Sequence, residues 1–132
     1  MNTKTNYNKK VKKIKRNSFI NGVAHVKCSF NNTIISISDP NGNVFASCSG
    51  GGAGFSNSKE STPHAAKIAT EKVADKAIAS GLKFLLLHLK GPGPGKDSVV
   101  TTLKSKGFEI TAIKETTGVA YNGCKPRKRR RV

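Results

Sequence analysis

The sequence predicts a single α/β domain, a mixed sheet of about five strands with two helices, extended at both ends by basic arms. Three observations predict it. Early in the chain, three short segments alternate apolar and polar residues between turn signals, as an antiparallel meander does. Later, two segments of helical character alternate with two β-rich segments, an order that introduces parallel crossovers into the same sheet. Finally, the 132 residues carry a net charge of +17 that is concentrated in the two ends.

Residues 1–21 form an arm rich in Lys and Asn. From Gly22 the period becomes two. Val23, His25, Lys27 and Ser29 fall on one side and Ala24, Val26, Cys28 and Phe30 on the other, which marks a half-buried strand. Asn31-Asn32 signals a turn, and Thr33 to Ser38 is a β-branched second strand. Residues 39–43, DPNGN, are dense in turn chemistry and return the chain as a third strand over Val44 to Ser49.

A glycine-rich loop, Gly50 to Gly54, and a polar stretch to Glu60 follow. Ser61-Thr62-Pro63 then starts a helix, with a hydroxyl N-cap and Pro at the first helical position. The helix runs to about Ser80 and stops at Gly81. Its Ala66, Ala69, Val73 and Ala77 make a narrow stripe of small residues suited to close approach to a sheet, whereas Ile68 and Ile78 fall off that stripe. Phe84 to Leu89, FLLLHL, is short and nearly continuous apolar, the pattern of a strand covered on both faces. KGPGPGK (90–96) interrupts regular structure. Asp97 or Ser98 caps a second helix ending at Gly107, and Phe108 to Lys114 is the last strand. The domain is expected over 22–121, with a basic arm over 122–132.

The charge distribution points to a partner. Residues 1–16 hold seven basic residues and no acid, and residues 125–132 hold six basic residues and no acid. The 108 residues between them carry only +4. All five Arg lie in the arms, at Arg16, Arg127, Arg129, Arg130 and Arg131. Such runs repel themselves and have nothing apolar to bury, so they need a dense polyanion. Arg grips phosphate through paired hydrogen bonds, where Lys offers a point charge. Lys125, Arg127, Lys128, Arg129, Arg130 and Arg131 are therefore candidate nucleic-acid contacts, as are Lys12, Lys13, Lys15 and Arg16 of the first arm.

A membrane partner fits poorly. No run of about 18 apolar residues spans a bilayer, and the arms lack an apolar face. Residues 1–16 have neither the apolar stretch of a secretory signal nor the Arg- and Ser-rich look of an imported presequence. Cys28, Cys48 and Cys124 are odd in number and far apart, without metal-ligand spacing, and read as reduced structural thiols.

Enzymatic readings fail on the residues. KGPGPGK has three residues between Gly91 and Gly95 where a phosphate-binding loop needs four. Asp97 also occupies the Ser/Thr place, and Pro92 and Pro94 have no N–H to donate. The Gly51–Gly54 loop is separated from its helix by about seven polar residues, unlike a dinucleotide fingerprint. Two-metal nuclease chemistry needs clustered carboxylates, yet Asp39, Glu60, Glu71, Asp75, Asp97, Glu109 and Glu115 avoid the first strand and FLLLHL. His25, His64 and His88 have no nucleophile or acid at useful spacing. No catalytic residue, metal ligand, cofactor or small-molecule substrate is expected. The glycine loops make either plain turns or a close approach to phosphate, with Lys59, Lys90 and Lys96 supplying charge.

Five motifs, SFNNTI (29–34), GGAGF (51–55), STPHAA (61–66), KGPGPGKDS (90–98) and NGCKPRKRRRV (122–132), resemble in order the bacterial-type small-subunit ribosomal protein eleven family. The resemblance covers about residues 20–132. It implies a ribonuclease H-like fold without catalytic residues, bound on the platform of the small ribosomal subunit. It also implies contact with small-subunit rRNA and neighbouring platform proteins, beside the cleft where messenger RNA pairs near its exit. Carried onto this chain, the RNA contacts are Asn31 and Asn32, Gly51, Gly52, Gly54 and Phe55, the segment with Lys90, Gly91, Gly93, Gly95 and Lys96, and the arm from Asn122 and Gly123 to Arg131.

Two departures stand out. Ser56, Asn57, Ser58 and Lys59 stand where family members usually carry basic residues just after Gly-Phe, and Ala120-Tyr121 replaces the usual Pro-His. Tyr121 either stacks on a base or packs on the body. The ending RKRRRV resembles proteobacterial and mitochondrial members, and the richness in Lys, Asn and Ile suggests an AT-biased genome. An organelle-encoded mitochondrial protein is the favoured reading, with a bacterial cytoplasmic one as the alternative. The competing function is a free architectural nucleic-acid-binding protein. That would need a dimer-forming apolar face and a wedge or ribbon for a groove.

Overall fold

The computed structural model describes residues 20–132. The first-arm candidates Lys12, Lys13, Lys15 and Arg16 lie outside the described residues. Five strands form one mixed sheet: β1 (Asn21–Cys28), β2 (Thr33–Ser38), β3 (Val44–Ser49), β4 (Phe84–Lys90) and β5 (Glu109–Glu115). The helices α1 (Pro63–Ala79) and α2 (Lys96–Ser105) interrupt the last three. Spatial order is β3-β2-β1-β4-β5. The meander β1-β2-β3 is antiparallel, with Val26 opposite Ile35 and Ile37 opposite Ala46. β4 lies parallel to both β1 and β5.

Two antiparallel steps make β3 parallel to β1, so both helices connect parallel strands and both connections step in the same direction across the sheet. Right-handed crossovers of that kind put their helices on one face, and the core shows that they do. Ala24, Val26 and Cys28 of β1, Ile35 and Ile37 of β2, and Leu85, Leu87 and Leu89 of β4 are buried. They form one cluster with Ala66, Ala69, Val73 and Ala77 of α1 and Val99 and Leu103 of α2. Among the described residues, the opposite face of the sheet carries no helix. FLLLHL therefore differs from expectation: only its alternate residues Leu85, Leu87 and Leu89 are buried. Leu86 and His88 face the helix-free side and are half-buried, while Phe84 is exposed. The apolar run reflects a central place between β1 and β5, whose side chains flank it, rather than a second covering layer.

Thr62 caps α1 by accepting a hydrogen bond from Ala65 N–H at 3.3 Å, with Pro63 next, and Gly81 leaves the helix with φ of 84°. The small-residue stripe is buried throughout, which lets α1 lie close to β2 and β3. Ile68 is half-buried and Ile78 is 48% exposed, so neither belongs to the stripe. α2 begins earlier than expected. Gly95, not Asp97 or Ser98, is its N-cap; its backbone is already helical, and having no side chain it accepts no capping bond. Asp97 instead lies in the first turn, where its charge meets the positive helix end. The polar stretch before α1 contains an unanticipated 3-10 turn over Asn57–Ser61.

In the DPNGN turn, the Asp39 carboxylate accepts from both Asn43 N–H (2.8 Å) and Asn43 Nδ2 (3.0 Å). On the helix-free face, His25 and His88 meet edge to face with ring centroids 5.3 Å apart. After β5, Thr116 returns a hydrogen bond to Leu89, and residues 118–132 are exposed without helix or strand.

Two expectations follow. Ala69→Phe overpacks the α1–sheet layer and destabilises the domain by about 1–3 kcal/mol; a wild-type melt would mean the stripe does not carry the layer. The second concerns pH. Burial, and secondarily the neighbouring His88, push the His25 pKa below its ordinary 6.5. The unfolded chain therefore takes up that proton more readily, so stability falls as pH drops through 6.5. His25→Gln flattens this part of the stability profile. Asp39 and Glu115, both held below their ordinary carboxyl values, titrate at lower pH and leave that window clear.

Candidate nucleic-acid interface

β1, β3, β4 and β5 run in one direction, so their carboxyl ends line a single edge of the sheet. Four predicted segments converge there. Gly93 N–H donates to Cys28 C=O at 2.9 Å, tying the Gly91–Gly95 strap to the end of β1. Gly50 N–H donates to Thr33 C=O at 3.0 Å and to Asn32 Oδ1 at 3.2 Å, tying the glycine loop to the β1–β2 turn. Gly91 N–H donates to Thr117 Oγ1 at 3.1 Å, and Thr116 N–H to Leu89 C=O at 2.7 Å, so the C-terminal arm departs from the same edge. Asn31, Asn32, Gly51, Gly52, Gly54, Phe55, Lys90, Gly91, Gly93, Gly95 and Lys96 are thus brought together, although they are far apart in sequence. Lys59 is exposed on the 3-10 turn that follows the loop.

The glycines divide into two kinds. A Cβ on Gly91 would lie 2.1 Å from Cys28 O, on Gly93 2.4 Å from Ser29 O, and on Gly95 2.7 Å from Thr33 Oγ1. Gly91 and Gly93 let the strap lie against the chain's own backbone and Gly95 lets it lie against the Thr33 side chain, while Gly50 approaches Glu60 O, with a Cβ distance of 2.4 Å. By contrast, Gly51 and Gly52 have no neighbour closer than 3.4 Å, and Gly54 and Gly123 have none within 4 Å. Only the second kind leaves room for an outside phosphate. The amides of the loop are largely engaged internally: Gly52 donates to Ser49 Oγ, Ala53 to Ser49 O, Gly54 to Gly51 O and Phe55 to Gly50 O. The loop is thereby a fixed platform, pinned further by Lys72 Nζ on Gly52 O (3.2 Å) and by Phe55 set edge-on to His64.

Charges at the edge are unequal. Lys96 is paired with Glu115 at 2.8 Å, and Thr117 also donates to that carboxylate, so little of the Lys96 charge is free for a ligand. Lys90 is exposed, and so is Lys27, its in-register neighbour on β1. Asn32 spends its Oδ1 on Thr33 N–H and Gly50 N–H and acts as a staple between turn and loop, while Asn31 faces outward. Phe30, 72% exposed at the same turn, is a candidate that the sequence reading did not single out. It follows the core-side parity of β1, but the strand ends at Cys28 and the turn swings it outward. Tyr121 is 98% exposed and does not pack on the body. Among the described residues, no three His, Cys, Asp or Glu side chains gather in a metal-holding cluster.

The described residues thus bring glycine loops and the root of a basic arm to one edge of the sheet. The model of the family described as Ribosomal protein S11 matches residues 22–131. The chain belongs to that family. Among its relatives, the small ribosomal subunit protein uS11 of Buchnera aphidicola is 46% identical over 130 residues, covering 98% of this chain and 99% of the relative. That of Thermotoga maritima is 47% identical over 121 residues, covering 92% and 93%. That of Janthinobacterium is 50% identical over 121 residues, covering 92% and 90%. The family is one of structural, non-enzymatic components, and the chain is not an enzyme.

The two kinds of glycine respond differently to substitution. Gly93→Ala drives a Cβ into Ser29 O and destabilises the domain by about 1–3 kcal/mol, whereas Gly123→Ala, in open space, stays within about 0.5 kcal/mol of wild type. Urea titrations of the two variants check this.

Proposed function

We propose that the chain is a structural constituent of the small ribosomal subunit and binds small-subunit rRNA through the carboxyl edge of its sheet and its C-terminal arm. The observation that carries the reading is the convergence at one edge of the strap, the open glycine loop and the root of an arm with six basic residues in 125–132. The body supplies a shaped platform with Gly51, Gly52 and Gly54 open to phosphate and with Lys59 and Lys90 beside them. The arm supplies the charge, and its four Arg fork onto phosphates between RNA helices where a loose cation cannot follow. Phe30 and Tyr121 offer rings on which unpaired bases stack.

The place within the subunit is part of the proposal. The resemblance supports the platform, with neighbouring platform proteins and messenger RNA nearby. A mitochondrial ribosome is supported by the Lys-, Asn- and Ile-rich composition and by the ending RKRRRV. The relatives named above come from bacteria and support a bacterial ribosome instead.

The arm sets the magnitude of the test. Six neutralised phosphates correspond to a log–log salt slope of about −4 to −5, so a fourfold rise in salt weakens that share of binding by roughly 300- to 1,000-fold. Deleting residues 125–132 removes that slope and prevents stable incorporation into small subunits, read by gradient sedimentation. Unchanged slope and normal incorporation would make the arm a solvated tail. Residence of the intact chain on DNA instead of small subunits would favour the free architectural binder.

A further inference from the structure

We propose that the helix-free face of the sheet is a second RNA-docking surface, taking a phosphate backbone that continues over the sheet from the carboxyl edge. The proposal rests on the rRNA-binding reading above and extends it from an edge to a face.

Strand pairing arranges this face in rows. Lys27 of β1 lies in register with Lys90 of β4, and one row further from the edge His25 lies in register with His88, which is in register with Lys114 of β5. All three Lys are exposed. None has a carboxylate partner among the described residues, whose two ion pairs lie elsewhere, at Lys96–Glu115 and Lys106–Asp75. These two rows contain no acid on any strand, and Glu109, which shares the face, pairs with Phe84 at the far end.

Like charges directly opposite one another weaken a sheet, so the Lys27–Lys90 pair is an unrelieved repulsion in the free chain. A polyanion lying across the rows relieves that repulsion by drawing the Lys heads. The crossed imidazoles also present ring surface, and His is among the side chains on which splayed RNA bases stack. Continuity favours RNA over an acidic protein. Lys90 belongs both to this face and to the strap, so one backbone passes from edge to face without a break.

A photoreactive benzophenone side chain at Ser36, in the His row beside His25, tests this in the full-length chain expressed in its own organism. Ser47, the next residue of that row and exposed, serves where Ser36 does not tolerate the bulk. Lys104, exposed on α2 in the other layer, is the control position. Sedimentation with small subunits comes first, and absence of the chain from them overturns the functional reading and this proposal together. With the chain in small subunits, irradiation is expected to yield ribonuclease-sensitive adducts from Ser36 or Ser47 at least tenfold above Lys104. Adducts to a protein, or none above the control, overturn the face proposal and leave the functional reading standing.

Discussion

The shared direction of four strands is the constraint on which the rest of the molecule depends. Because β2 alone runs against β1, β3, β4 and β5, four chain ends emerge at one edge. Each of them can then carry a loop or an arm to the same ligand. The same directionality stacks both helices on one face, closes the core there and leaves the other face without a helix among the described residues. Edge, core and open face are thus one consequence of strand order. Ligand sites at the carboxyl ends of parallel strands are a general outcome of α/β sheets. Here that edge gathers glycine-rich loops and the root of a basic arm.

Glycine turns this topology into a defined surface. The strap over Gly91–Gly95 lies so close to Cys28, Ser29 and Thr33 that no side chain fits between, and it is held by a backbone hydrogen bond at its centre. A strap fixed this tightly holds Lys90 at one position and gives the arm a fixed root through Thr117. The cationic arm has no structure of its own to define its path, so its root must. A rigid body with an extended basic arm combines geometric selection at the edge with long-range electrostatic attraction, which phosphate contacts supply without regard to sequence.

Much of this was legible in the chain. Period-two alternation in β1, the DPNGN turn and the Thr62-Pro63 cap each reflect interactions between near neighbours, and each element stands where those residues place it. Where expectation failed, distant contacts decided. FLLLHL reads as doubly covered because its apolar density cannot distinguish a second helix layer from a central position among neighbouring strands. The handedness of the two crossovers held that information, since both step the same way across the sheet. The start of α2 was misplaced because Asp97 looks like a cap, whereas Gly95 already has helical backbone. At the site, the loops were recognisable but their internal roles were not. Gly93 packs against Ser29, Asn32 staples the loop through its Oδ1, and Lys96 is paired with Glu115. Those partners lie between 18 and 64 residues away, beyond the reach of any local pattern.

The central claim is one of orientation: the carboxyl edge, not the helix layer, faces rRNA. A density map of small subunits from the organism that carries this chain measures it directly. The account predicts phosphates against Gly51–Phe55, Lys90 and Arg127–Arg131, with the outer faces of α1 and α2 turned away from rRNA. A map that seats α1 and α2 on the rRNA, with the glycine loop and strap in solvent or against protein, would contradict it.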